Sequence, residues 1–374
     1  MTTFSRTDTS VLGRWWWTVD RWSLAAIVAL IAFGTMLTLA SSPAVAIKMG
    51  YDSLHFVTRH LIFLPFAAIG IIFVSLLTPT QIRRYSVLAF LFCILGLALT
   101  LLIGKEVNGA QRWLSIAGQT LQVTEFAKPT FAVVTAWLFA EKIRDNKFPG
   151  YTLAIASFVI LIGLVLKQPD LGQSFVIGTI WMAQLCLAGL PIWIVASLFV
   201  LGIAGLCSAY YFMDHVKQRI NSFIDSSMGD NYQGERSLDA FANGGLFGRG
   251  PGEGTVKNSL PDAHADFVFA VAGEELGLII VLVIVCLFAF IVLRGLIRTM
   301  GEGDLFILLA SCGLLGQFGL QALINMASSL QLMPAKGMTL PFISYGGSSL
   351  LAIALSVGMI LALTRRRSGK ARNE

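Results

Sequence analysis

Carboxylates and a histidine cluster in one stretch of the sequence, SLPDAHADFVFAVAGEELG at 259–277. Asp262, His264 and Asp266 come where a long polar segment gives way to an apolar one. A carboxylate at the edge of hydrocarbon is costly because it loses hydration there, so such a residue is a functional candidate. Asp266 is therefore the candidate catalytic residue, and His264 is a candidate ligand contact. The alternative is that Asp262 and Asp266 cap or flank a membrane helix.

Four further candidate substrate-binding residues lie upstream. Glu125 and Lys128 are spaced i, i+3 in an apolar run, so they share a helix face, and mutual pairing is the simplest interpretation. Arg112 offers a guanidinium that can grip a phosphate in two places, and the indole of Trp113 could lie against lipid or sugar. An interfacial anchor is an equally good explanation of Arg112 and Trp113.

Two turns between apolar runs carry the remaining candidates. Asp170 follows a proline in a tight turn, where its carboxylate could cap the next helix or bind a cation. The segment PAKGMTLPFISYGGSS at 334–349 contains Lys336, a possible anion ligand, and the hydroxyl of Ser344. Irregular backbone near membrane depth is tolerated where it lines a cavity, so this segment is expected to form a wall of the site. A structural re-entrant turn is the alternative.

Two other patterns predict no chemistry. The glycines of GRGPGEG at 248–254 resemble a phosphate-binding loop, but the GK[ST] ending is missing, so a flexible loop is expected. The five cysteines fall in apolar runs without CxxC spacing and are interpreted as small packing residues.

The composition indicates an integral membrane protein. Hydrophobic residues make up 56% of the 374 residues and charged residues 13%, against roughly a quarter charged in soluble proteins. The formal charge of +6 lies mostly in short segments between apolar runs and in the tail, which is typical of membrane orientation and not of nucleic-acid binding.

The candidate residues must be positioned by the membrane helices that the sequence predicts and by the segments between them. The sequence predicts an all-α integral membrane protein with ten transmembrane helices and one long extracytoplasmic loop, at about 214–265, between spans 7 and 8. The predicted spans are 22–40, 55–77, 86–104, 123–140, 150–166, 171–188, 192–213, 267–293, 304–327 and 348–363.

The distribution of Lys and Arg predicts that both termini are cytoplasmic. The predicted organisation is a cytoplasmic tail at 1–21, a membrane domain at 22–364 and a basic cytoplasmic tail at 365–374. Ala44-Val45-Ala46 resembles a signal-peptidase site, but the preceding apolar run is longer than a signal sequence requires, so an uncleaved first span is expected. The Arg112 segment, the Asp170 turn, the Asp266 loop and 331–347 then share the outer face.

Five motifs in this order resemble the SEDS family (shape, elongation, division and sporulation) of membrane glycosyltransferases over nearly the whole chain. They are NGAQRWLSIAG at 108–118, TEFAKP at 124–129, QPDLGQS at 168–174, the PDAHADFVFAVAGEELG block, and MTLPFISYGGSS at 338–349. GRGPGEGTVKNSLPDAH and MPAKGMTLPFISYGGSS are more similar to the cell-division branch of the family than to the elongation branch.

The resemblance implies polymerisation of lipid II into β-1,4-linked glycan strands at the outer face of the bacterial cytoplasmic membrane, during septal wall synthesis. It makes Asp266 the essential carboxylate, with Glu125, Lys128 and Asp170 as important neighbours. It also implies partners: lipid II and the growing glycan strand, a class B penicillin-binding transpeptidase and other divisome proteins. No cofactor is certain; a divalent cation such as Mg²⁺ or Mn²⁺ is one possible source of positive charge.

Two other functions fit a many-span protein with charges in its spans. A flippase for a lipid-linked precursor is one, although the candidate charges lie mostly on one side. The other is a non-catalytic scaffold that recruits divisome partners.

Overall fold

The computed structural model of the chain describes residues 10–107, 110–116, 118–212, 216–217, 220–221, 223, 232–334 and 337–365. These residues form a helical bundle with one small sheet. The described helices are α1 (Val11–Thr18), α2 (Arg21–Lys48), α3 (His55–Ser75), α4 (Pro79–Ile103), α5 (Val123–Arg144), α6 (Gly150–Lys167), α7 (Leu171–Leu187), α8 (Ile192–Phe212), α9 (Tyr232–Gly244), α10 (Val268–Thr299), α11 (Leu305–Ser329) and α12 (Gly347–Leu363).

Every predicted span falls on one of these helices. Among the described residues, seven helices (α2, α3, α4, α6, α8, α10 and α11) are long and apolar enough to cross a membrane, and α7 and α12 are shorter apolar helices. The remaining predicted span corresponds to α5, which carries Glu125 and Lys128 near its start and Lys142 and Arg144 in its last turn. Hydrocarbon favours this architecture because a helix satisfies its backbone hydrogen bonds internally.

The predicted all-α class describes the bundle, and the structure adds a small sheet between α4 and α5. Strands β1 (Lys105–Val107), β2 (Ala110–Ile116) and β3 (Gln119–Leu121) form an antiparallel sheet in the order β1-β2-β3. Glu106 pairs with Gln111, and Ser115 pairs with Thr120. The strands are short and polar, so their periodicity was too weak to distinguish them from a loop.

Helix α5 lies at the centre of the bundle and packs against α4, α6, α7, α11 and α12. Side chains around most of its circumference are buried. This placement encloses its polar residues in protein, because lipid contacts the outer helices instead. By contrast, α8 packs mainly on α7 and leaves most of its apolar surface exposed, as expected for a surface that faces lipid.

The bundle has two ends with different polar chemistry. The Asp20 end, named for the residue that joins α1 to α2, is closed by contacts among α1, α3 and the chain after α12. There Trp15 donates to Ser75 Oγ at 2.8 Å, and Arg365 donates to Ser75 O at 3.1 Å. The Asp266 end holds the last residues of α2, α4 and α11, the first residues of α5, α7 and α12, and the small sheet.

The predicted 214–265 loop contains a helix, α9, which packs along α10. Residues 213–215, 218–219, 222 and 224–231 of this region lie outside the described residues. Helix α10 is itself broken at Gly277, which has φ 77° and ψ 173°. The N–H groups freed there are satisfied, since Leu278 donates to Gly245 O at 3.0 Å and Ile279 to Leu246 O at 3.3 Å.

Candidate active site

A buried carboxylate–lysine pair lies at the start of α5. Lys128 Nζ is 3.0 Å from Glu125 Oε2, and the side chains are 0% and 5% exposed. Each has a second partner: Lys128 donates to Gln321 Oε1 at 3.0 Å, and Gln173 donates to Glu125 Oε1 at 2.6 Å. The predicted pairing of Glu125 with Lys128 is therefore observed, within a network that reaches α7 and α11. A buried ion pair requires additional hydrogen bonds to both charged groups, because the free-energy cost of removing the charges from water is otherwise not compensated.

The same network reaches the segment before α12. Gln321 Nε2 donates to Thr339 O at 3.1 Å and lies 3.3 Å from Thr339 Oγ1, which in turn hydrogen-bonds Ser349 Oγ. Asn325, one helical turn further along α11, donates to Met338 O at 2.7 Å. One face of α11 thus holds the irregular chain at 338–339 against the bundle. This segment is packed within protein, as predicted for irregular backbone at membrane depth.

Backbone contacts hold the residues around Asp266 against that segment. Asn325 donates to the backbone carbonyl of Asp266 at 2.9 Å. Ser344 Oγ donates to Ala265 O at 2.6 Å and accepts from Leu340 N at 2.7 Å. Ser344 therefore lies in the predicted region, and the contacts observed for it are with the chain itself.

The carboxylate of Asp266 is partly buried beside residue 337. A Cβ atom on Gly337 would lie 3.8 Å from Asp266 Oδ2. The N-cap of α10 is Phe267, whose side chain makes no capping hydrogen bond, and Asp262 and Asp266 flank the start of this helix. The predicted anion ligand Lys336 lies outside the described residues.

His264 is buried in an aromatic cluster and not solvated. Its ring stacks on Phe56 with centroids 4.7 Å apart and lies 5.4 Å from the ring of Tyr345. The backbone carbonyl of His264 also accepts from Tyr345 N at 2.9 Å. Burial lowers the pKa of His264, against the opposing effect of the Asp262 carboxylate. The imidazole is thus favoured in its neutral form two residues from Asp266.

Asp170 caps α7, as the local sequence predicts, by accepting from Gln173 N at 3.2 Å. Burial raises the pKa of Asp170, although Arg112 nearby opposes this. Arg112 reaches the turn from β2: its Nε is 3.9 Å from Asp170 Oδ2 and donates to Gln168 O at 3.0 Å. Trp113, next in β2, is half-buried in the sheet. Gln173 therefore connects the Asp170 turn to Glu125, because its backbone N–H donates to Asp170 and its side chain donates to Glu125.

Glu274 and Glu275, which belong to the same 259–277 stretch as Asp266, hold the chain around the break in α10. Glu274 accepts from Asn243 Nδ2 and from the backbone N–H groups of Thr255, Val256 and Lys257, all at 2.7–2.9 Å. Glu275 accepts a hydrogen bond from Lys257 Nζ, which also donates to Ala40 O at 3.0 Å.

The glycine-rich segment 248–254, predicted to be a flexible loop, is fixed by the broken helix. Arg249 and Gly250 each donate a backbone N–H at 3.0 Å, to Glu274 O and Glu275 O. Gly248 has φ 80°, and a Cβ there would lie 2.2 Å from Glu275 O, so only glycine fits this approach.

The described residues show no ready-made metal centre, since they contain no group of three or more His, Cys, Asp or Glu side chains that could hold an ion. The predicted candidates that come together are Asp266, His264 and Ser344 in one group, and Glu125, Lys128, Asp170 and Arg112 in another. Gln173, Gln321 and Asn325 link these groups and were missed. Gln321 and Asn325 are spaced i, i+4 in an apolar helix, which indicates a polar face of α11, but this spacing does not show what the face contacts.

A bundle of apolar helices around a buried charged helix, with polar segments gathered at one end, defines a multi-pass α-helical membrane protein. The family model described as "Cell cycle protein" (FTSW_RODA_SPOVE) matches residues 21–369. The chain belongs to this family, and it is a SEDS protein of the FtsW type.

Two similar proteins match the sequence of this chain along nearly its whole length. The "Probable peptidoglycan glycosyltransferase FtsW" of Caulobacter vibrioides is 44% identical over 98% of this chain and 94% of its own. The protein of the same name from Geobacter metallireducens is 34% identical over 94% of this chain and 96% of its own.

Two solved structures have the same fold. A chain from a peptidoglycan synthase complex superposes with a TM-score of 0.76 at 23% identity, covering 92% of this chain and 97% of its own. The rod shape determining protein RodA of Thermus thermophilus superposes with a TM-score of 0.68 at 24% identity, over 93% and 97% of the two chains.

Proposed function

We propose that this protein is a peptidoglycan glycosyltransferase that polymerises lipid II into β-1,4-linked glycan strands during septal wall synthesis. The observation that carries the proposal is the 44% identity, over 98% of the chain, to a protein named as such a transferase. The geometry is compatible with it, because a partly buried carboxylate lies at the end of the bundle that also holds buried cations.

Asp266 acts in this proposal as the general base. Its carboxylate takes the proton of the acceptor sugar hydroxyl while that oxygen bonds to the anomeric carbon of the donor. The bond from that carbon to the lipid diphosphate oxygen breaks, and the diphosphate leaves as an anion, so no general acid is needed. The configuration at the carbon inverts.

The cations Lys128, Arg112 and Lys336 are proposed to stabilise the charge that develops on the leaving diphosphate. Trp113, His264 and Ser344 are proposed as contacts of the sugars or lipid. Glu125 and Asp170 hold Lys128 and Arg112 in place, which is supported by the 3.0 Å and 3.9 Å contacts between these pairs.

The proposed topology has ten spans, with both termini in the cytoplasm and the Asp266 end outside. It is supported by the many basic residues near the Asp20 end, which the positive-inside rule assigns to the cytoplasm. The proposed parts are the tail at 1–21, the membrane domain at 22–364 with its extracytoplasmic segment at 214–265, and the tail at 365–374.

The proposed location is the bacterial inner membrane at the division septum. The proposed partners are a class B penicillin-binding transpeptidase, which would cross-link the new strands, and other divisome proteins. The chain from a peptidoglycan synthase complex, which shares this fold, is compatible with such an assembly.

Polymerisation of lipid II by the purified protein, with and without the transpeptidase, tests the proposal. Asp266→Asn should abolish glycan strands while the protein keeps its melting temperature. Asp262→Asn is the matched control, because Asp262 is an exposed carboxylate four residues earlier, and it should retain most of the activity. Parallel reactions with Mg²⁺, Mn²⁺ or EDTA test the dependence on divalent cations.

Full activity of Asp266→Asn would overturn the role of the base. Two alternative functions predict different results. A flippase would move a lipid-linked precursor across vesicles without forming strands. A scaffold would form no strands either, and cells carrying Asp266→Asn would divide normally.

A further inference from the structure

A cavity of about 590 Å³ opens at the Asp20 end, far from the candidate active site. It lies where α1 meets α2, beside the last turns of α10. Its lining includes Trp17, Asp20, Arg21, Trp22, Arg294 and Arg298. A volume within roughly 300–1,000 Å³ is typical of sites that bind small molecules or headgroups.

A buried carboxylate fixes two of the three arginines. Asp20 is 2% exposed and accepts from Arg294 Nε at 2.5 Å and from Arg294 Nη2 at 3.0 Å. Arg298 Nε is 3.4 Å from the same carboxylate. Burial alone would raise the pKa of Asp20, but its bonds to Arg294 and Ser23 and the charge of Arg298 lower it. Asp20 is therefore an anion that holds two guanidinium groups in fixed positions at the cavity.

Arg21 adds a third positive charge and has aromatic neighbours. Its guanidinium carbon lies 5.0 Å from the ring centre of Trp16 and 4.5 Å from that of Trp17. Within the described part of the chain, no acidic side chain forms an ion pair with Arg21. Three arginines and one carboxylate line the cavity, so the lining side chains carry more positive than negative charge. Arginine is the side chain best suited to binding phosphate through two hydrogen bonds.

The surrounding tryptophans indicate the depth of the cavity in the membrane. Trp22 is 68% exposed and Trp17 is 39% exposed, and both lie where the apolar helix α2 begins. Tryptophan at the end of a membrane helix is typical of the headgroup region, where its ring is partly in lipid and its N–H reaches water. A basic cavity between membrane helices at this depth is suited to an anionic lipid headgroup.

We propose that the cavity formed by Trp17, Asp20, Arg21, Trp22, Arg294 and Arg298 binds the phosphate of an anionic phospholipid headgroup. The site is independent of the proposed catalytic reaction. It would attach the junction of α1 and α2 and the end of α10 to the lipid surface. Free phosphate shares the same chemistry but lacks acyl chains, so the two sources can be distinguished.

The test is native mass spectrometry of the purified full-length protein, titrated separately with phosphatidylglycerol, phosphatidylcholine and inorganic phosphate. Phosphatidylglycerol should bind with a dissociation constant at least about tenfold lower than either of the others, because only it combines net negative charge with acyl chains. Arg21→Gln should weaken its binding by about tenfold. Arg84→Gln removes an exposed arginine at the same end of the bundle and should leave the affinity within about twofold.

Arg294→Lys provides a second variant that keeps the charge next to Asp20. It should keep the melting temperature of the lipid-free protein within a few degrees, yet bind phosphatidylglycerol more weakly, because lysine cannot form the same forked contact. Equal binding of phosphatidylglycerol and phosphatidylcholine would overturn the proposal. So would equal binding of inorganic phosphate, or unchanged phosphatidylglycerol affinity in Arg21→Gln.

Discussion

At the scale of single residues, the Glu125–Lys128 pair shows how charge is kept inside a membrane bundle. Glu125 bonds to Lys128 and Gln173, and Lys128 bonds to Glu125 and Gln321. Removal of one partner would leave the other charge buried with a single neutral contact. The pair is therefore more costly to break than a surface pair of the same spacing.

Lys128→Met should lower the free energy of unfolding by about 3–5 kcal/mol, because it leaves Glu125 ionised in a buried site. The double variant Glu125→Gln with Lys128→Met should recover part of this loss, since no unpaired charge remains. Unfolding in mixed micelles by a denaturing detergent, followed by circular dichroism, measures both values.

Helix α5 provides its own control for this experiment. Glu141 and Arg144 have the same i, i+3 spacing, but their atoms are 4.0 Å apart and Arg144 is 79% exposed. Glu141→Gln should therefore cost less than about 1 kcal/mol. Equal costs for Lys128→Met and Glu141→Gln would show that burial of the first pair has no energetic consequence.

At the scale of elements, the break in α10 is the feature that shapes the Asp266 end. If the helix continued through Gly277 without a break, the Glu274 carboxylate would move away from the backbone N–H groups that now donate to it. The backbone carbonyls of Glu274 and Glu275 would also move away from the N–H groups of segment 248–254. The break instead lets segment 248–258 fold against the helix, with Lys257 reaching Ala40 of α2. Helices α2, α9 and α10 are joined in this way next to the Asp266 segment.

Gly277→Ala should destabilise the protein by about 2–5 kcal/mol, since it adds an unfavourable φ to a close contact. The new Cβ would lie 2.3 Å from Gly248 N and 2.5 Å from Leu246 O. Gly316→Ala in α11 is the control, because nothing lies within 4 Å of a Cβ there. That change should stabilise by about 0.5–1 kcal/mol through better helix propensity. Melting temperatures that shift in the same direction for both variants would contradict the role assigned to Gly277.

At the scale of the whole molecule, the two ends carry different chemistry. The Asp266 end gathers buried polar side chains from several helices, including α5, α7, α10 and α11. The Asp20 end is closed by arginines that contact a carboxylate and backbone carbonyls. The proposed topology assigns the first end to the outside of the cell and the second to the cytoplasm.

Single cysteines test this orientation in a version of the protein without its own cysteines. Asp52→Cys, between α2 and α3, should react with a membrane-impermeant maleimide on intact cells. Lys147→Cys, between α5 and α6, should react only after the cells are permeabilised. Both positions are exposed and lie in turns between helices, so the fold should tolerate them. The opposite labelling pattern would reverse the proposed orientation.

Much of the candidate site could be predicted from residue types alone. Charges are rare in apolar runs, and Glu125, Lys128, Asp170 and Asp266 stand out there because their desolvation must be compensated. The links between them could not be predicted in the same way. Gln321 and Asn325 are neutral, and only the packing of α11 against α5 and against the chain before α12 shows that they connect the two groups.

The order of residues was enough to predict the helices and the family, because hydrocarbon requires long apolar helices and the five motifs occur in the family's order. It also pointed to the carboxylates. The tertiary structure alone decided three features: the small sheet that carries Arg112, the break at Gly277, and the polar path through α11. The break and the polar path depend on contacts between residues far apart in the chain, which no local pattern of residue types encodes. The strands of the sheet pair with near neighbours in sequence, but they are too short and polar to be distinguished from a loop.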